Sequence, residues 1–152
     1  MTVLRGLPGF ETLWDRRTTI EAPDGLRIEL LSLPDLIQSK KTQGDKDWPM
    51  IRRLVEAHYL RHREEATEAQ LRFWLLECRT PDILLEVVHD HRPLAATLAS
   101  ERGLLALALE TGPEQLEFLL AGEERAERQR DREYWRPLRS ELEQLRRGAS
   151  LE

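Results

Sequence analysis

Apolar residues recur three and four apart through most of this chain, and they alternate cleanly only near its start. Leu26, Ile28 and Leu30 share one face of an alternating run, which predicts a strand, and Thr18 to Glu21 reads as its partner. Ala22-Pro-Asp-Gly25 between them is a turn, because Pro presets φ at the second position and Gly accepts a positive φ. The hairpin therefore spans about residues 17–31. Two strands alone are marginal in water, so the next helix is expected to cover their apolar face. Upstream, Phe10, Leu13 and Trp14 follow a Leu-Pro-Gly turn and predict one short helical turn.

From Leu33 the spacing is helical. Leu33, Leu36 and Ile37 form a stripe, Ser32 is a good N-cap, and Asp35 three residues on makes an acidic variant of the capping box. Pro34 is tolerated in the first turn, and Gly44 can take the left-handed conformation that ends the helix. Asp47 is placed to cap a second helix, with Pro49 just inside it and Ile51, Leu54, Val55 and Tyr59 inward, to about Arg63. Thr67-Glu-Ala-Gln70 is a capping box for a third helix carrying Leu71, Trp74, Leu75 and Cys78. Thr80-Pro81 opens a fourth, with Thr80 as N-cap and Leu84, Leu85 and Val88 inward, and His91-Arg-Pro93 ends it. A fifth starts at Leu94, Gly103 marks a break before Leu104 to Leu109, and Gly112-Pro113 opens another.

That last helix begins apolar at Leu116, Leu119 and Leu120. From Gly122 to Glu133 it has almost no apolar residue, so it reads there as a solvated helix laced by charge pairs or as a protruding arm. A stripe returns at Trp135, Leu138, Leu142 and Leu145, with Pro137 expected to kink or restart the helix. Its heptad-like spacing is short for a coiled coil and reads first as core packing. The predicted fold is mainly α with one small β-hairpin and six or more helices. Residues 1–63 form the hairpin and two helices, and 64–150 a helical extension packed as one unit with them.

Composition narrows the function classes. At 152 residues with 40% apolar content, the chain supports a real core. Charge is uneven: residues 1–63 carry a net +2 and residues 64–152 a net −7. General nucleic-acid binding needs a basic surface, and this balance argues against it. One cysteine, Cys78, precludes an intramolecular disulfide and fits a reducing, cytoplasmic setting, and no apolar run approaches the length of a membrane span.

The candidate chemistry lies at the turn after the first long helix. Lys40 and Lys41 fall in its last turn, and Lys46 and Asp47 precede the next helix. Ammonium groups beside a helix N-terminus suit a nucleotide phosphate. The alternative is a charged turn in which Asp47 only caps a helix. The order hairpin, Ser32-Leu-Pro-Asp-Leu-Ile, Lys40, polar turn and Lys46-Asp47, preceded by Gly6-Leu-Pro-Gly-Phe-Glu-Thr-Leu-Trp-Asp-Arg-Arg17, resembles the C-terminal part of minimal nucleotidyltransferase-fold proteins of the toxin or abortive-infection kind. The resemblance covers about residues 6–60. It implies nucleotidyl transfer from a nucleoside triphosphate with Mg²⁺, with Lys40 at the family's lysine and Asp47 at its late aspartate.

The departures from that family are as informative. Its Gly-Ser turn and Asp-x-Asp pair, which hold the metal ions, have no counterpart here, and the resemblance would place them upstream of Gly6. Gly44-Asp45 stands where the family has Gly-Arg, and Met50 where it has a second Asp. The chain alone is therefore expected to be inactive and without a cofactor, Mg²⁺ and triphosphate entering only if a separate polypeptide supplies the catalytic half.

Other candidates have plainer readings. His58 and His62 lie one helical turn apart, but two histidines leave a zinc site two ligands short, and a solvated helix face is the better reading. The same holds for His89-Asp90-His91 at a helix end. Cys78 reads as a small buried hydrophobe, and no serine sits in a nucleophile elbow. Three functions remain open: the non-catalytic end of a nucleotidyltransferase acting with a catalytic polypeptide, a degenerate non-enzymatic interaction module, and an unrelated helical scaffold. The hairpin's outer edge has unpaired backbone groups, so either the N-terminal segment or a second chain is expected to cover it. A homodimer pairing hairpins or packing the Trp135–Leu145 stripe would do so, and the other expected partner is a separate catalytic polypeptide.

Overall fold

A computed structural model describes residues 7–42 and 47–149. The elements in order are α1 (Phe10–Asp15), β1 (Thr18–Glu21), β2 (Arg27–Leu30), α2 (Leu33–Lys41) and α3 (Trp48–His62), which runs into a 3₁₀ turn (Arg63–Glu65). They continue with α4 (Glu68–Glu77), α5 (Pro81–Asp90), α6 (Arg92–Leu98), α7 (Leu104–Ala108) and α8 (Pro113–Ala149). The fold is mainly α with one antiparallel hairpin, as the periodicity predicts.

The hairpin pairs Thr18 with Leu30 and Glu21 with Arg27. Its turn closes with Gly25 N–H donating to the Ala22 carbonyl at 2.8 Å. Gly25 has φ +82°, where a side chain would strain the backbone. The helix after it does not cover the hairpin. Every residue of both strands is exposed, with Ile20 at 45% and Leu30 at 44%. Helix α2 turns to α3 instead and buries Ile37 there. Period-two alternation creates an apolar face, but nothing in it dictates a cover.

Local capping explains where several helices begin. Ser32 Oγ accepts from Asp35 N–H at 3.4 Å, and the Asp35 carboxylate takes the Ser32 hydroxyl and Arg16. Thr67 and Gln70 complete a full capping box, with Thr67 N–H donating to Gln70 Oε1 at 2.9 Å. Thr80 and Asp47 hold N-cap positions without capping by side chain. The Thr80 hydroxyl donates to Glu56, and Asp47 faces Lys40.

The core gathers Ile37, Trp48, Ile51, Val55 and Tyr59 from α2 and α3 with Trp74, Leu75, Leu84, Val88 and Leu98 from α4 to α6. Burying each large apolar side chain contributes about 1.5–3 kcal/mol. Helix α7 completes the body with Leu104, Leu105 and Ala108, and α5 and α7 receive the first turns of α8 through Leu116 and Leu120. Helix α8 has 37 residues. At 1.5 Å per residue it is about 55 Å long. It runs unbroken through Pro137, which neither ends nor restarts it.

Candidate functional site

Lys40 and Lys41 have partners. Lys40 Nζ lies 3.6 Å from Asp47 Oδ1. Lys41 Nζ lies 2.5 Å from Glu77 Oε2 at the end of α4 and 3.7 Å from Glu127 Oε2 on α8. Lys46, with Gly44, lies outside the described residues. Proximity in sequence thus brings Lys40 and Asp47 together, whereas Lys41 turns inward. A phosphate approaching Lys41 would meet two carboxylates already in place.

Lys41 belongs to a larger set of charges on which α8 is seated. The acidic run reads as a solvated helix or arm in the sequence, yet Glu123 and Glu127 face the body and Asp131 is buried. Arg102 donates from Nε and Nη2 to the two Glu123 oxygens at 2.9 and 2.7 Å. Its remaining hydrogen bonds run to the Leu75 and Cys78 carbonyls, at 2.7 and 2.9 Å, where α4 ends. Arg79, 3% exposed, meets Glu127 at 2.5 Å and Glu123 at 3.5 Å and lies over the Trp48 ring. Arg52 and Arg128 meet Glu124.

These contacts set the charge states. Burial alone would raise the Glu123 pKa, but hydrogen bonds and charge from Arg102, with Arg79 and Lys41, hold it below the usual carboxylate range. Burial likewise opposes the Arg79 charge, and Glu127, Glu123 and Glu77 more than offset it.

The remaining candidates have structural surroundings. His58 Nδ1 accepts from the Trp74 indole N–H at 2.9 Å, and its ring stands 4.6 Å from that of His62. Burial first, then His62, lowers the His58 pKa. Cys78 is fully buried, burial raises its thiol pKa, and Sγ points at the Thr80 carbonyl. Among the described residues no three His, Cys, Asp or Glu side chains are gathered as metal ligands. Nor, among them, is any helix long and apolar enough to cross a membrane. A polar cleft of about 390 Å³ lies between Tyr59, Arg63, Glu86 and His91. A smaller, mostly apolar groove of about 210 Å³ lies between α1 and the hairpin, lined by Phe10, Leu13, Trp14 and Leu30.

The acidic seat of α8 did have a signal. Leu116, Leu120, Glu123, Glu127 and Asp131 are spaced four, three, four and four, so the carboxylates continue the core-facing stripe. Reading only apolar residues breaks that stripe where it turns acidic. No known family model, curated protein or solved structure matches this chain.

Proposed function

We propose that the chain is a non-enzymatic helical interaction module. The observation that carries this reading is a closed helical body bearing two apolar surfaces that nothing among the described residues covers. One is α1 with the hairpin, where Phe10 is 69% and Leu26 59% exposed. The other is the end of α8, where Leu138, Leu142 and Leu145 are 46%, 47% and 64% exposed. Contiguous exposed apolar residues of this kind mark protein-binding surfaces. The engagement of Lys41 by Glu77 and Glu127 supports the same reading, because it leaves that ammonium a structural task.

A second reading keeps nucleotidyl transfer, with a separate polypeptide supplying the catalytic half. It draws on the meeting of Lys40 and Asp47, the two positions that the family resemblance singles out. Calorimetric titration with the four common nucleoside triphosphates and Mg²⁺ separates the readings. The module reading expects no saturable heat and no labelled transfer to protein or RNA by the isolated chain. Mg²⁺-dependent binding or transfer, lost on Lys40→Ala or Asp47→Ala but not on His58→Ala, would replace it with the second.

A further inference from the structure

The stripe that seats α8 on the body does not stop where the body stops. After Asp131, which is 8% exposed, it continues through Trp135, Leu138, Leu142 and Leu145 at spacings of four, three, four and three. From Arg132 to Arg147 every residue is exposed except the half-buried Trp135. The Trp135 indole N–H donates to Asp131 Oδ1 at 3.1 Å, so the ring is anchored at the root of the arm with its polar atom already satisfied. Beyond it lies a helix with a seam of coiled-coil spacing and no body to meet.

The residues flanking the seam specify what fits it. With Trp135 and Leu142 at the first core position and Leu138 and Leu145 at the second, Arg132, Arg139 and Arg146 line one edge. Tyr134 and Glu141 line the other. In a parallel pair, each edge residue meets the opposite-edge residue five positions later on the neighbouring helix. Glu141 then faces Arg146 of the second copy, and Tyr134 faces Arg139, an ion pair and a cation–π contact. An antiparallel pair would set each edge against itself and bring the arginine edges together. Pro137 falls at an outward position, clear of the seam.

Resting on the interaction-module reading above, we propose that the distal part of α8, Arg132 to Ala149, pairs in parallel with the same segment of a second copy. A second copy is the occupant because the complementary edges are both supplied by this one sequence.

Sedimentation equilibrium on the intact chain tests this, with Leu142→Glu, Glu141→Arg, and Glu141→Arg combined with Arg146→Glu. The intact chain should move from a mass of 17.8 kDa toward twice that value as concentration rises. Leu142→Glu should stay monomeric, Glu141→Arg should weaken association at least tenfold, and the double exchange should recover most of it. All three positions are exposed, so the urea midpoint of the body should not move. Leu145→Cys should form a disulfide-linked dimer in air, since parallel pairing sets that position against itself.

A monomeric mass at every concentration overturns the proposal, including the case in which the monomer instead binds anionic vesicles through this stripe. So does association that ignores Leu142→Glu. If that association is lost on Ile20→Lys in the hairpin, the module reading survives while the pairing of α8 fails.

Discussion

Replacing Arg102 with Met tests the seat of α8 most directly. The substitution keeps much of the aliphatic volume and removes four hydrogen bonds, two to Glu123 and one each to the Leu75 and Cys78 carbonyls. Breaking one partner of a buried ion pair costs about 3–5 kcal/mol, chiefly because the other charge stays buried. Glu123 keeps Arg79 at 3.5 Å, which places the cost toward the lower end of that range. For a domain of this size each kcal/mol shifts Tm by about 2–4 °C, so the melting point should fall by about 6–12 °C. Urea unfolding followed by circular dichroism should be run on Arg102→Met, Glu123→Gln and the double variant. The double should be more stable than the sum of the singles predicts, by about 1–3 kcal/mol, because neutralising Glu123 removes the orphaned charge. The pH dependence adds a second check. A depressed folded-state pKa contributes stability that is full above the unfolded value of about 4.3 and lost as pH falls through the folded one. Arg102→Met should move that loss to higher pH. A cost below about 1 kcal/mol, the scale of a surface ion pair, or strict additivity, would refute the idea that this pair is buried and coupled.

Thr67→Ala removes the hydroxyl that caps α4 and should cost about 1 kcal/mol in the same urea assay, whereas Thr80→Ala should leave its helix N-terminus unaffected and act only through Glu56. Lys41→Met should lower stability by about 1.5–3 kcal/mol and leave nucleotide titrations unchanged, and Lys40→Ala should cost less; a Lys41 variant of wild-type stability would contradict its burial against Glu77 and Glu127. Because the folded state lowers the His58 pKa, the unfolded chain takes up that proton first as pH drops below about 6.5, and stability should decline toward pH 5. His58→Gln, which still offers the Trp74 indole an acceptor and cannot be protonated, should flatten that decline; an unchanged slope would assign it elsewhere.

What was legible in the sequence was local. The hairpin turn, the Ser32 and Thr67 caps and the inward faces of α3 to α5 depend on residues within about one helical turn of each other, and the structure has them where spacing puts them. What was not legible depends on partners far along the chain. The Thr80 hydroxyl leaves its own helix for Glu56, 24 residues away, and Arg79 reaches Glu127 across 48. Glu123 and Glu127 look solvated until those arginines are folded against them. At the candidate site, the nearness of Lys40 to Asp47 was readable from the turn between them, but the capture of Lys41 by α4 and α8 was not. Alternation along β2 stated which residues share a face and could not state that the face would stay open to water.

Seating the middle of α8 on ions instead of on leucines also sets how the protein responds to heat. The penalty for taking charges out of water falls as temperature rises, because their hydration carries a strongly negative entropy, while apolar burial gains little further. On warming, the contacts of Arg79 and Arg102 with α8 therefore hold a growing share of the remaining stability. The hairpin, whose strands are exposed throughout, has instead a partly exposed Arg17–Glu29 pair, which solvent screens. Thermal loss of structure should start there and reach the junction of α4 with α8 last, a sequence that hydrogen exchange at stepped temperatures would read residue by residue.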